Sequence, residues 1–164
     1  MTKIPAKPDE LPTAHGSVST ADDLKEQPLP AARLIVVGCA AVDITAQPLI
    51  DSDLGHQSTS PGQISMSLGG VGRNIAEAAH RVLSSYGSEF SAVTLLVSVI
   101  GDDSFGRLIS EETRMLGMRT DGLFPVHGGR SPVCNLLLER SGGLRAGVAD
   151  MDLVRNMNAH MASL

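Results

Sequence analysis

Hydrophobic and polar positions change rhythm several times along this chain, and each change marks an expected element. Leu34, Ile35, Val36 and Val37 form a continuous apolar run closed by Gly38, the pattern of a strand buried on both faces of a parallel sheet. Small residues follow, then Val42-Asp43-Ile44. From Gln63 to Leu68 apolar and polar residues alternate, which predicts a strand with one wet face. Such a strand does not belong inside a doubly wound sheet and suggests a small lid over it. Ile75, Ala78, Ala79, Val82, Leu83 and Tyr86 recur at helical spacing, predicting a helix over 73–86 with this apolar stripe and an end at Gly87. Residues 93–100, apolar except for Thr94 and Ser98, are a second such run and predict a second buried strand. Phe105, Leu108, Ile109, Met115 and Leu116 predict an amphipathic helix ended by Gly117. A short extended piece at 123–126 follows. Two strand-like runs, 133–139 and 144–148, joined at Ser141-Gly142-Gly143, predict a β-hairpin, the second part of the lid. A weaker helical pattern runs through Leu153, Val154 and Met157.

The ends and the composition bound this picture. Residues 1–32 hold Pro5, Pro8, Pro12, Pro28 and Pro30 and no aromatic residue, so they are expected to be a disordered tail, leaving one domain over 33–164. Between Pro48 and Pro61 the chain is polar and reads as a loop or loosely held flap. With 42% hydrophobic and 2% aromatic residues, the core must be built from aliphatic side chains. The net charge of -5 and the lack of a basic cluster argue against nucleic acid. Cys39 and Cys134 lie in apolar segments without CxxC spacing, which reads as buried thiols in a reducing compartment, the cytoplasm. Five scattered histidines give no ligand spacing, so no metal site is expected. There is no apolar run of about 18 residues to span a bilayer. The polar N-terminal segment, with Asp9, Glu10, Asp22, Asp23 and Glu26, has no signal-peptide core.

The candidate chemistry centres on Leu68-Gly69-Gly70-Val71-Gly72-Arg73-Asn74-Ile75-Ala76-Glu77. Three glycines stand where the alternating segment hands over to the helix, so the backbone can approach a ligand closely. The helix opens with free N–H groups and the positive end of its dipole, and Asn74 adds a neutral donor and acceptor. This is a plausible floor for a polyhydroxylated ligand. Asp43, placed beyond the end of the first strand, is equally well an acceptor for sugar hydroxyls or the cap of a turn. Asp102 and Asp103 invite a catalytic or metal reading, but the helix that follows needs an N-cap there, and capping is the expected role. No Walker lysine loop occurs, Gly70-Val71-Gly72-Arg73-Asn74-Ile75 lacks the third glycine of a dinucleotide fingerprint, and neither a Gly-x-Ser-x-Gly elbow nor a Cys beside a His is present.

Val37-Gly38 with Asp43, then Gly69-Gly70-Val71-Gly72-Arg73-Asn74-Ile75-Ala76, then Ser98-Val99-Ile100-Gly101-Asp102-Asp103-Ser104-Phe105-Gly106, strongly resemble the N-terminal half of ribokinase-like (PfkB) carbohydrate kinases over residues 34–160. The Gly-Gly-x-Gly-Arg-Asn-Ile-Ala variant and Ala149-Asp150-Met151 look most similar to the pseudouridine kinase branch. The resemblance implies the N-terminal portion of a three-layer α/β/α fold with an inserted antiparallel β lid. It also implies ATP-dependent phosphorylation of a sugar or nucleoside hydroxyl, with Mg2+ in the full-length member. Asp43, Gly69, Gly70, Gly72 and Asn74 would hold the substrate. Arg73 would reach a base or phosphate, or lie solvated in the first turn, the reading preferred here. The family's Gly-Ala-Gly-Asp segment and its Asn-x-x-Glu motif lie in the later half and are not in this sequence. Asn74-Ile75-Ala76-Glu77 fits the second by letters only. No catalytic residue is therefore assigned, and the expectation is a substrate-and-lid half, inactive alone, explained most simply as a truncated product or gene-model fragment. A sugar- or nucleoside-binding module and a lid-mediated homodimer are the alternatives.

Overall fold

The computed structural model describes residues 31–50, 59–87, 90 and 92–158. The expected tail lies outside these residues except for its last two, as do positions 51–58 of the expected flap. In chain order the elements are β1 (Leu34–Val37), β2 (Ala41–Pro48), β3 (Gly62–Gly69), α1 (Val71–Ser84), β4 (Thr94–Gly101), α2 (Ser104–Met115), β5 (Leu123–Val126), β6 (Val133–Leu138), β7 (Leu144–Asp150) and the single turn α3 (Asp152–Arg155). They form two sheets. A parallel core sheet runs β1-β4-β5, and a four-stranded sheet runs β3-β2-β6-β7. In the second, β2 is antiparallel to β3 but parallel to β6, and β6 and β7 make the expected hairpin.

The core lies between the sheets and two helices. Leu96 and Ile100 of β4, Ala76 of α1, Ile109 of α2 and Val42 at the base of the lid sheet are all buried together, with Val36, Ile44, Leu68, Phe105 and Val133 packed against them. Each large aliphatic side chain so buried contributes about 1.5–3 kcal/mol relative to exposure. Val36 stands opposite Leu96 in the parallel ladder, so this cluster occupies one face of the core sheet.

The expectation for β1 is corrected here. Ile35 and Val37 are 57% and 64% exposed, not buried on both faces. Among the described residues β1 pairs only with β4, and α1 and α2 contribute Ala76 and Ile109 to the cluster on the Val36 side. The alternate residues of this edge strand therefore face solvent. β4, flanked on both sides, is buried as expected.

Helix α1 also differs from expectation. It runs over Val71–Ser84 and buries Gly72, Arg73, Ala76 and His80, while Ile75, Val82 and Tyr86 of the apolar stripe are exposed. Gly72 sets the rotation. A Cβ on it would stand 2.7 Å from the backbone of Gly38, so the helix touches the end of β1 backbone to backbone. That contact turns positions 73, 76 and 80 inward as well. At the far end His80 Nε2 donates to the Leu116 carbonyl at 3.1 Å, tying α1 to the end of α2. Gly117 follows α2 with φ +79, where the spacing placed the helix end.

Candidate substrate site

The site is assembled where β1, β2, β3 and α1 meet. Ser98 of β4 accepts a hydrogen bond from Ala40 N at 3.0 Å, which fixes the turn Gly38-Cys39-Ala40 over the end of the core sheet. The Cys39 carbonyl then accepts from Arg73 N at 3.0 Å and lies against Gly70. A Cβ at Gly70 would be 2.4 Å from that oxygen, and φ there is +90. Only glycine suits both conditions. The start of α1 is thus fastened to the end of β1 before any side chain is considered.

Asp43 is a lid-strand residue. Its expected place beyond the end of a strand is corrected: Asp43 lies inside β2, opposite Ser67 of β3 and Cys134 of β6, and so caps no turn. Val42, Ile44 and Ala46 alternate with Asp43, Thr45 and Gln47, the period-two signal of a strand. The apolar set faces the core and the polar set faces the other way. The Asp43 carboxylate lies over Gly69, where a Cβ would stand 2.0 Å from Oδ2. Burial first, and the Asp43 charge second, push the Cys39 thiol above its ordinary pKa, as follows from Asp43 and Cys39 sharing one small space. Cys39 Sγ also contacts Met151 Sδ at 4.0 Å. Both cysteines are free and half-buried rather than fully buried.

Asp43, Gly69, Gly70 and Gly72 are therefore brought together at the base of the lid. Asn74 is exposed in the first turn of α1 and accepts from Arg73 Nη1 at 3.3 Å. α1 has no side-chain cap and no acidic residue in its first turn, so nothing of its own neutralises the positive end of its dipole. Arg73 is not solvated as preferred. It is 8% exposed, its guanidinium pairs with Glu77, and its Nε is buried without a partner. Glu77 also pairs with Arg81, so the two arginines occupy its carboxylate.

The two carboxylates after β4 divide their work. Asp103 is the N-cap of α2, accepting from Gly106 N at 2.8 Å, as expected. It also accepts from Ser131 N at 2.9 Å and Ser131 Oγ at 2.6 Å, while Ser131 Oγ accepts from Gly101 N at 2.9 Å. Burial pushes the Asp103 carboxyl up, but the bonds from the Ser131 hydroxyl, Ser131 N–H and Gly106 N–H outweigh it and hold the pKa below its ordinary value. Asp102 does not cap the helix. It accepts from Gly128 N at 3.1 Å and pairs with His127 Nδ1 at 2.8 Å, and the Gly128 bond and then His127 hold its carboxyl low. Together the pair fastens the segment 127–131, through which the chain passes from core to lid.

Sequence reasoning missed Ser67 and Cys134 as neighbours of Asp43, and Ser131 as the partner of Asp103. The alternation of 42–47 could have found the first two. Nothing local marks Ser131, which meets Asp103 only through the tertiary fold.

Comparison with known proteins gives one family. The profile of the pfkB family carbohydrate kinases matches residues 32–157. The chain is 39% identical over 94 residues to the uncharacterized sugar kinase YeiI of Escherichia coli, covering 57% of this chain and 23% of that protein. It is 26% identical to the pseudouridine kinase of the same organism, over 77% of this chain and 37% of the other. A Clostridium perfringens structure assigned as a sugar kinase superposes with a TM-score of 0.65 at 26% identity, over 80% of this chain and 39% of that one. This chain thus spans between 23% and 39% of the length of these relatives.

Proposed function

This chain belongs to the pfkB family of carbohydrate kinases, and from that premise we propose that residues 33–164 form the substrate-holding, lid-bearing part of a kinase domain acting on a sugar or nucleoside hydroxyl. Pseudouridine-like nucleosides and ribose-type sugars are the proposed substrates. The observation that carries this reading is the seating of the Asp43 carboxylate over the Gly69-Gly70 turn at the base of the lid.

The chemistry follows from that geometry. Asp43 accepts hydrogen bonds from vicinal hydroxyls, and charge-assisted bonds of this kind contribute about 1.5–3 kcal/mol each. Gly69 and Gly70 let the sugar ring lie on the backbone, and the Asn74 amide offers both a donor and an acceptor at its rim. The lid sheet covers the ligand from the polar side of β2 and β3. Orienting one hydroxyl and excluding water are what such a site contributes to phosphoryl transfer.

The family's kinases use ATP, which supplies the transferred phosphoryl group. The described residues do not fit ATP and its Mg2+. No three His, Cys, Asp or Glu side chains among them gather as a metal site, and Glu77 is taken up by Arg73 and Arg81. We assign no transfer step to this chain. In our reading nucleotide and metal are held by parts of the family domain outside the matched segment, and the chain alone binds substrate without turning it over. No described helix is long and apolar enough to cross a membrane, and the cytoplasm is the proposed compartment.

A second reading concerns assembly. Ile64, Met66 and Val148 are 78%, 56% and 76% exposed and lie on the lid face opposite Asp43 by the strand register. We propose that this apolar face pairs two copies of the chain through their lids.

Titration calorimetry of the 164-residue chain with D-ribose and with pseudouridine tests the substrate reading. Saturable binding of at least one ligand is expected, weakened at least about tenfold by Asp43→Ala, the loss of one charged hydrogen bond. Binding unchanged in Asp43→Ala, or none in the parent chain, overturns it.

A further inference from the structure

The lid face that carries Asp43 has two chemically different halves. Strand register places Asp43 and Thr45 of β2 on the same face as Ser67 and Ser65 of β3. Each of these side chains can accept a hydrogen bond, and the three hydroxyls can also donate one. On the other side of β2, the same face continues through Cys134 and Leu136 of β6 and then Ala149 and Gly147 of β7. None of these offers a strong polar group. The boundary falls between β2 and β6, one strand spacing of about 5 Å from the Asp43 row.

Gly147 shapes the apolar half. It stands opposite Leu136, and a Cβ there would come within 3.2 Å of Leu136 Cδ2. The Leu136 side chain therefore lies across the bare backbone of β7 instead of standing upright. The result is a low apolar shelf beside a hydroxyl-rich wall. A monosaccharide carries hydroxyls around its ring and has little apolar surface to lay on such a shelf. A nucleoside carries hydroxyls on one edge of the ribose and a flat heteroaromatic ring at C1′, and its two parts match the two halves.

We propose that Leu136 and Gly147 form the platform for a planar base, so that this site selects a nucleoside over a free sugar. The proposal rests on the reading of Asp43 as the sugar-hydroxyl acceptor, and it adds the feature that distinguishes between the two substrate classes. Leu136 and Gly147 are specificity-determining residues here; they touch the base and not the reacting hydroxyl.

The test is titration of the 164-residue chain, its Leu136→Ser variant and its Gly147→Val variant with pseudouridine, uridine and D-ribose. Expected is a preference of the parent chain for either nucleoside over ribose of about tenfold or more, the range that apolar contact of this size supplies. Leu136→Ser removes the shelf, and Gly147→Val raises a branched side chain through it. Each should lower nucleoside affinity about tenfold while leaving ribose affinity within about twofold. Retained ribose binding also shows that the lid has folded in each variant. Equal parent affinity for ribose and nucleosides overturns the platform and leaves the Asp43 reading standing. Equal loss of both ligand classes in the variants does the same. A parent chain that binds neither class overturns the Asp43 reading and the platform with it.

Discussion

Gly69 and Gly70 are adjacent, yet a methyl group at each meets a different obstacle. At Gly69 it meets the Asp43 carboxylate, the end of a side chain that can swing away. At Gly70 it meets the Cys39 carbonyl, which is backbone, and φ is +90 besides. Gly69→Ala should therefore spare the fold and displace Asp43, reducing sugar or nucleoside affinity about tenfold, as the loss of one charged hydrogen bond would. Gly70→Ala should instead destabilise the chain by about 1–3 kcal/mol through left-handed strain and the clash. Thermal unfolding and calorimetry on both variants check the pair. A Gly69→Ala variant with unchanged affinity would show that Asp43 is not held where ligand binds. Arg73 carries a related lesson. A charged residue in the first turn of a helix reads as solvated, but the contact of Gly72 with Gly38 rotates position 73 inward, and Glu77 one turn on supplies the counter-charge.

At the scale of elements, the junction between core and lid is held by the turn after β4. Asp103 caps α2 and clasps Ser131 at the entry to β6. Asp103→Ala removes a cap and leaves buried Ser131 groups unpaired, and should cost about 1–3 kcal/mol. The pH dependence has a definite sign. The folded Asp103 carboxyl has a lowered pKa, so the unfolded chain binds more protons in the acid range. The stabilisation is complete above the ordinary carboxylate range and is lost as pH falls through the folded value. The melting temperature of the parent chain should hold down to about pH 5 and fall below about pH 4, with a shallower fall in Asp103→Ala. An acid slope identical in the two would refute this role. These elements were legible to different degrees. β3, β5 and the β6–β7 hairpin were readable, because alternation, length and a Gly-Gly turn are local properties. The N-cap role of Asp103 was readable for the same reason. The exposed faces of β1 and α1 were not, since which side of an element is covered depends on what else packs there. β2 carries the same local signal in the alternation of 42–47, directly after the run of small residues 38–41.

For the whole molecule, the lid sheet presents two faces of different chemistry. The Asp43 side carries the polar residues of β2 and β3, and the side of Val42 and Ile44, which packs on the core at its base, leaves Ile64, Met66 and Val148 in solvent farther out. Contiguous exposed apolar patches on a soluble body mark interaction sites. Sedimentation equilibrium of the chain should give a dimer, and Ile64→Asp with Val148→Asp should give a monomer with ligand affinity kept within about twofold, because the altered face is the one opposite Asp43. A parent chain that stays monomeric at high concentration would rule the pairing out. The lid has one further property, set by the parallel pairing of β2 with β6. Val42 lies beside Val133, and all of α1, β4, α2 and β5 lies between them in sequence. Such a pairing closes a long loop and forms slowly. During synthesis Asp43 leaves the ribosome well before its neighbour Cys134 and the hairpin strand ending at Asp150. Until β6 and β7 have been made, β2 carries Asp43 on a strand whose neighbour on one side does not yet exist, and half of the lid sheet is still unbuilt.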